Sequence, residues 1–178
     1  NIDIKNSGMK NAGASNTTVL LGWRYGTIVA FIDIFKATIS LVIAAYILNK
    51  YLVSFELQMI LLYLNALFVV IGHNFPFTMN FKGGKGTAST FGMLIAIDYR
   101  LGIIGFFVIL IVTILTDYIA LGALALVTFL IISTMYLNLG NPSILIAVII
   151  TLLAIYKHIP NIKNILAKKE EGLRRQFK

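Results

Sequence analysis

No cysteine occurs anywhere in the 178 residues, and only two histidines do, His73 and His158. That rules out a disulfide framework and a thiolate metal site, and two histidines alone are too few to build a zinc centre. Charge is scarce as well. Asp, Glu, Lys and Arg make up 12% of the chain, where a soluble protein carries about a quarter. What fills the chain instead is apolar, at 58% of residues, arranged in continuous runs rather than in the alternation of a β-barrel. The expected fold is an all-α polytopic membrane protein, a single domain over residues 1–178.

Five runs have the length and polarity of membrane spans: 26–48, 55–71, 101–116, 119–137 and 144–156. A sixth, 87–99, is short for a bilayer of about 30 Å. It is expected to cross with its ends in polar surroundings. With six spans, residues 1–25, 72–86, 116–118 and 157–178 share one side. Apart from Lys36 within a span, only Lys50 and Arg100 among the lysines and arginines fall on the other side. The excess of positive charge marks the first side as cytoplasmic. A formal net charge of +8 concentrated there suits anionic headgroups and phosphate ligands, and no nucleic-acid partner is expected.

The same side collects the polar segments. One is Gly72-His73-Asn74-Phe75-Pro76 followed by Lys82-Gly83-Gly84-Lys85-Gly86. Glycine amides and two lysines in one connection are the ingredients of a phosphate site, although the spacing is not that of a P-loop. A flexible basic turn that merely obeys the charge bias is the plainer reading. A second segment, 6–17, is rich in Asn, Ser, Thr and Gly and is expected to wrap a polar ligand as a loop, or to cap a helix. A third, Lys157-His158-Ile159-Pro160-Asn161, follows the last span. Its His158 suits acid–base or phosphate work, while interfacial anchoring is the alternative. Inside the first span, Asp33 and Lys36 lie three apart on one helix face, as an ion pair or as support for the site. Asp117, in a tight turn, is a weaker candidate. The tail 168–178 reads as a solvated basic helix at an anionic leaflet.

Taken together, these segments resemble the three motifs of the bacterial acyl-phosphate:glycerol-3-phosphate acyltransferase family. Asn11-Ala12-Gly13-Ala14-Ser15-Asn16 is similar to the core of its first motif, and Asp33 with Lys36 to an Asp-x-x-Lys pair in the next helix. Gly72-His73 and Phe75-Pro76, then Phe81-Lys82-Gly83-Gly84-Lys85-Gly86, match the second motif. His158 and Asn161-Ile162 match the third. The resemblance implies a seven-helix integral membrane enzyme of the bacterial cell membrane, with its site facing the cytoplasm. Six spans here would then follow one missing from the N-terminus. It implies acyl transfer from acyl phosphate to the 1-hydroxyl of glycerol 3-phosphate, giving lysophosphatidic acid and phosphate, by a monomer with no metal or coenzyme.

Catalytic roles are expected for Lys85, His158 and Asn161. Substrate or phosphate contacts are expected from Asn11, Gly13, Ser15, Asn16, His73, Lys82, Gly83, Gly84 and Gly86, with Asp33 and Lys36 behind them. The chain departs from the family pattern at Met9, Val19, Ala37 and Asn164, where Ser, Arg, Gly and a basic residue are usual. Lys10 and Arg24 are the candidates to restore the lost charge. A non-catalytic or repurposed member, and a small transporter or channel for a phosphorylated solute, are the competing readings. Polar groups gathered on one face rather than along a path favour the enzyme.

Overall fold

The computed structural model describes residues 3, 4, 6–8 and 11–174. Seven α-helices follow in order: α1 Ala14–Leu21, α2 Trp23–Lys50, α3 Phe55–Asn74, α4 Thr87–Ile97, α5 Tyr99–Thr116, α6 Ile119–Tyr136 and α7 Asn141–Leu166, with a 3₁₀ turn at Phe77–Met79. Five of them, α2, α3, α5, α6 and α7, are long and apolar enough to cross a membrane, and α4 is the short apolar one. The protein is an all-helical integral membrane protein. Only helices satisfy every backbone polar group without water, and their outward faces are correspondingly apolar, as at Phe31, Phe35, Phe107 and Ile111.

The helices close into a ring in which α2 packs on α3, α3 on α7, α7 on α6, α6 on α5 and α5 on α4. Helix α4 closes this ring by packing back on α2, and it also reaches across to α3 and α6. Its eleven residues rise only about 16 Å, half the hydrocarbon thickness, which is workable because protein rather than lipid surrounds it. Met93 and Leu94 of α4 are wholly buried with Leu41, Tyr63, Leu126, Leu130 and Ile150. Small polar groups tie the crossings: Thr38 Oγ1 donates to Gly92 O (3.0 Å), Ser40 Oγ to Asn65 Oδ1 (2.8 Å), and Tyr63 pairs with Thr134 (2.7 Å).

Three expectations change. Part of the first polar segment, read as a loop, is helix α1, which ends at Gly22 (φ 92°) before the first span begins. The last helix does not stop at residue 156 but carries the third motif to Leu166, running through Pro160. Among its described residues, the tail does not continue as an α-helix. Residues 167–174 form a strap that returns to the α5–α6 turn, where Leu173 N–H donates to Asp117 O (2.7 Å). Met9, Lys5, Lys10, Arg175 and Lys178 lie outside the described residues.

Candidate active site

Helices α1 and α4 begin at the same place. Gly13 and Gly86 precede their first residues, and a Cβ on Gly13 would stand only 3.8 Å from the Gly84 Cα. The N-termini of the two helices therefore face one space, and each carries a partial positive charge. Gly86 has φ 86°, a left-handed turn that permits the sharp entry into α4. Asn11 Oδ1 accepts the Gly13 N–H (3.0 Å), and this Asx turn sets the start of α1.

Below that junction lies a cavity of about 460 Å³. Its polar wall is made by Asn11, Gly13, Ser15, Asp33, His73, Lys85, Gly86, His158, Asn161 and Glu170. Its apolar wall runs between helices through Val19, Ile34, Phe91, Phe106, Ile109 and Ala123. A second cavity, of about 590 Å³, adjoins it between the 75–83 loop and the end of α7. Lys82, Lys157, Phe75 and Tyr156 line it, and Gly8, Asn11, Lys85, Asn161 and Asn164 belong to both. The motif residues thus bring one largely apolar space beside a more polar one, with Lys85 on the shared wall.

Lys85 donates to Asn161 Oδ1 (2.7 Å), and Asn161 Nδ2 donates to Glu170 Oε1 (2.6 Å). Burial pushes the Lys85 ammonium down to about 8, with Glu170 pulling it back up and Lys157 adding a smaller push downward. His158 is buried three residues before Asn161, on the same face of α7. Its Nδ1 stands 2.7 Å from Ala154 O. A carbonyl only accepts, so Nδ1 carries the proton and Nε2 is left as the ring's acceptor. On α2, Lys36 Nζ bridges Asp33 Oδ1 (2.6 Å) and His73 Nδ1 (2.7 Å), with Asp33 3.2 Å from the same nitrogen. The helix pair expected from the sequence therefore exists, and it extends to the second motif.

Some expected contacts go elsewhere. Asn16 is wholly buried, and its amide donates to Ile4 O, Ser7 O and Asn11 O (3.0, 3.2 and 2.7 Å). It organises the first segment and is not on the cavity wall. The Gly83 and Gly84 N–H groups donate to Asn74 O and His73 O (3.2 and 3.1 Å), closing the end of α3. These two glycines supply close packing. Lys82 is exposed and lines only the second cavity, whose wall it shares with Lys85. Val19 stands on the first cavity's wall, while Arg24 lies 5.8 Å over the Trp23 ring and lines neither space.

Two contributors were not expected. Lys157 donates to Asn74 O (3.0 Å) and stands 4.8 Å from the Phe75 ring, which fixes it on the second cavity's wall. Its position beside His158 was the available signal. Glu170 reaches Asn161 from the strap, and nothing in the tail's composition pointed to that.

The glycerol-3-phosphate acyltransferase family profile matches residues 1–168. Glycerol-3-phosphate acyltransferase 1 of Oceanobacillus iheyensis is 51% identical over 99% of this chain and 84% of its own length. A glycerol-3-phosphate acyltransferase of Thermoanaerobacter sp. is 35% identical over 97% of this chain and 83% of its own. The crystal structure of PlsY (YgiH), an integral membrane glycerol 3-phosphate acyltransferase, in its glycerol 3-phosphate form superposes with a TM-score of 0.85. The two share 28% identity over 96% of this chain and 82% of that one. The lysophosphatidic acid form of that protein gives 0.80 over 92% of this chain.

Proposed function

Since the chain belongs to the glycerol-3-phosphate acyltransferase family, we propose that it transfers an acyl group from acyl phosphate to the 1-hydroxyl of glycerol 3-phosphate, at the cytoplasmic face of a bacterial plasma membrane. The observation that carries this reading is the pair of adjoining cavities with Lys85 and Asn161 on their common wall. The space with an apolar groove suits an acyl chain ending in a phosphate. The polar one, with Lys82 and Lys157, suits a small phospho-alcohol.

In this arrangement the acyl phosphate group rests on the first turns of α1 and α4 beside Lys85. The glycerol 3-phosphate lies against Lys82 and Lys157, with its hydroxyl directed across the wall. The hydroxyl oxygen forms a bond to the acyl carbon, and the bond from that carbon to the phosphoryl oxygen breaks. His158 Nε2 takes the hydroxyl proton and passes it to the departing phosphate. The products are the acyl ester, lysophosphatidic acid, and inorganic phosphate, so atoms and charge balance. An acyl phosphate is already activated. Positioning, and cations fixed where charge gathers, supply the rate without an acyl-enzyme.

The direct test supplies purified protein in lipid with palmitoyl phosphate and glycerol 3-phosphate. Equal amounts of phosphate and lysophosphatidic acid are expected. Protein shown to be folded that releases neither, or that uses another acyl donor in place of palmitoyl phosphate, would overturn the reading.

A pH profile provides a second check. The ammonium of Lys85 is present below about pH 8 and lost above it. The kcat/KM should therefore fall on the alkaline side of that value. In Glu170→Gln the amide oxygen still accepts from Asn161, but the negative charge that holds the Lys85 proton is gone. The alkaline limb should move to lower pH. A limb that stays put, or moves up, would mean that Lys85 does not govern it.

A further inference from the structure

The turn between α5 and α6 does more than connect two spans. Asp117 ends α5 in the left-handed conformation (φ 69°), and the chain's C-terminal strap is fastened to it. Its carbonyl accepts the Leu173 N–H (2.7 Å), and its Oδ1 accepts the Arg174 N–H (2.9 Å). A Cβ on Gly172 would lie 2.0 Å from Asp117 Oδ2, so the strap backbone rests directly on the carboxylate. Arg174 adds a bond from Nη2 to Ile114 O (3.1 Å) and lies 3.9 Å from Asp117 Oδ1. At its other end the strap is continuous with α7, where Asn164 O accepts from the Lys169 and Glu170 N–H groups (2.8 and 3.2 Å).

Between these two fastenings, Lys169, Glu170 and Glu171 form part of the first cavity's wall, and Glu170 holds Asn161. None of the three belongs to the second cavity. We propose that Asp117 is a positioning residue for the reaction, one that pins the strap over the polar end of the acyl-phosphate cavity and so shapes chiefly the binding of that substrate. The proposal rests on the acyl-transfer reading above for which substrate occupies which cavity. The anchoring itself does not depend on that reading.

The physical consequence is selective. Asp117→Ala removes the acceptor for Arg174 N–H and the surface on which Gly172 rests, and leaves the backbone bond to Leu173. The strap is then held at that end by the Leu173 N–H bond to Asp117 O and the Arg174 Nη2 bond to Ile114 O alone. The KM for palmitoyl phosphate should rise about fivefold, the equivalent of one lost hydrogen bond, while the KM for glycerol 3-phosphate stays within about twofold. Asp117→Asn keeps an oxygen acceptor and should restore the palmitoyl phosphate KM.

Limited trypsin digestion after Lys168 and Lys169 provides a readout independent of activity. Cleavage there should be faster in Asp117→Ala than in wild type or Asp117→Asn. Unchanged cleavage would overturn the anchoring. Faster cleavage with both KM values raised alike, or with neither moved, would overturn the positioning role. A wild type inactive with palmitoyl phosphate would count against the acyl-transfer reading, and the digestion would still decide the anchoring.

Discussion

Lys85→Met is expected to lower kcat/KM for acyl transfer by about 10³-fold, at the upper end of what one fixed electrostatic contact supplies. Lys85 is half-buried, is held by Asn161 Oδ1 at 2.7 Å, and belongs to the walls of both cavities. A cation at that place meets whichever phosphate gathers charge as the acyl carbon changes partners. Methionine fills the same stem volume, so folding should survive and thermal unfolding should confirm it. Lys85→Arg keeps a charge, but a planar guanidinium does not reproduce a point charge held by one amide oxygen. Its residual activity should be low and should lack the alkaline fall near pH 8, because arginine does not deprotonate there. A Lys85→Met protein with more than a tenth of the wild-type kcat/KM would remove Lys85 from the reaction.

Much of the fold could be read from the chain because a bilayer leaves few options. An apolar run must be a helix, and its length follows from the bilayer thickness. All five long spans were therefore legible, and the charge bias gathered the three motifs on one side. The short α4 was legible as a span but not as the element that closes the ring, because its role depends on which helices surround it. Helix α1 was obscured by its own composition. Ser15, Asn16, Thr17 and Thr18 favour caps and turns, and only packing on α2 makes them helical.

Within the site, residue type was legible and residue duty was not. Asn11 and Asn16 look equivalent in sequence. In the structure Asn11 is on both cavity walls, and Asn16 is enclosed by the backbone carbonyls of its own segment. Three glycines in Gly83-Gly84-Lys85-Gly86 looked like a cradle of amides. Two of them instead close the end of α3, because unpaired carbonyls of a helix C-terminus compete for the same N–H groups. The strap was hidden for a similar reason. Its lysines and arginines suit an anionic leaflet equally well, and the contact that decides otherwise is with Asp117, more than fifty residues earlier.

Gly84→Ala should damage both the stability and the activity of the protein. A Cβ there would stand 2.0 Å from His73 Nε2 and 2.4 Å from its Cε1. The ring has little room to move. Its side chain is 8% exposed, and its Nδ1 is held by Lys36 at 2.7 Å with Asp33 at 3.2 Å. The loop has no more freedom, since Gly84 N–H is bonded to His73 O and Gly83 N–H to Asn74 O. Any relief must therefore dismantle the Asp33–Lys36–His73 group or open the end of α3, and either one moves Lys85. Overpacking of this kind costs about 1–3 kcal/mol, so a lowered Tm is expected together with a loss of at least about 10²-fold in kcat/KM. The double variant Gly84→Ala/His73→Ala separates the two effects. Removing the imidazole gives the methyl its space, so the Tm should recover. Activity should not recover, because Lys36 has lost the ring that orders it. A Gly84→Ala protein with wild-type Tm and rate would show that the ring and the loop do not meet as the structure has them. A double variant no more stable than the single would show that the strain lies in the backbone and not against His73.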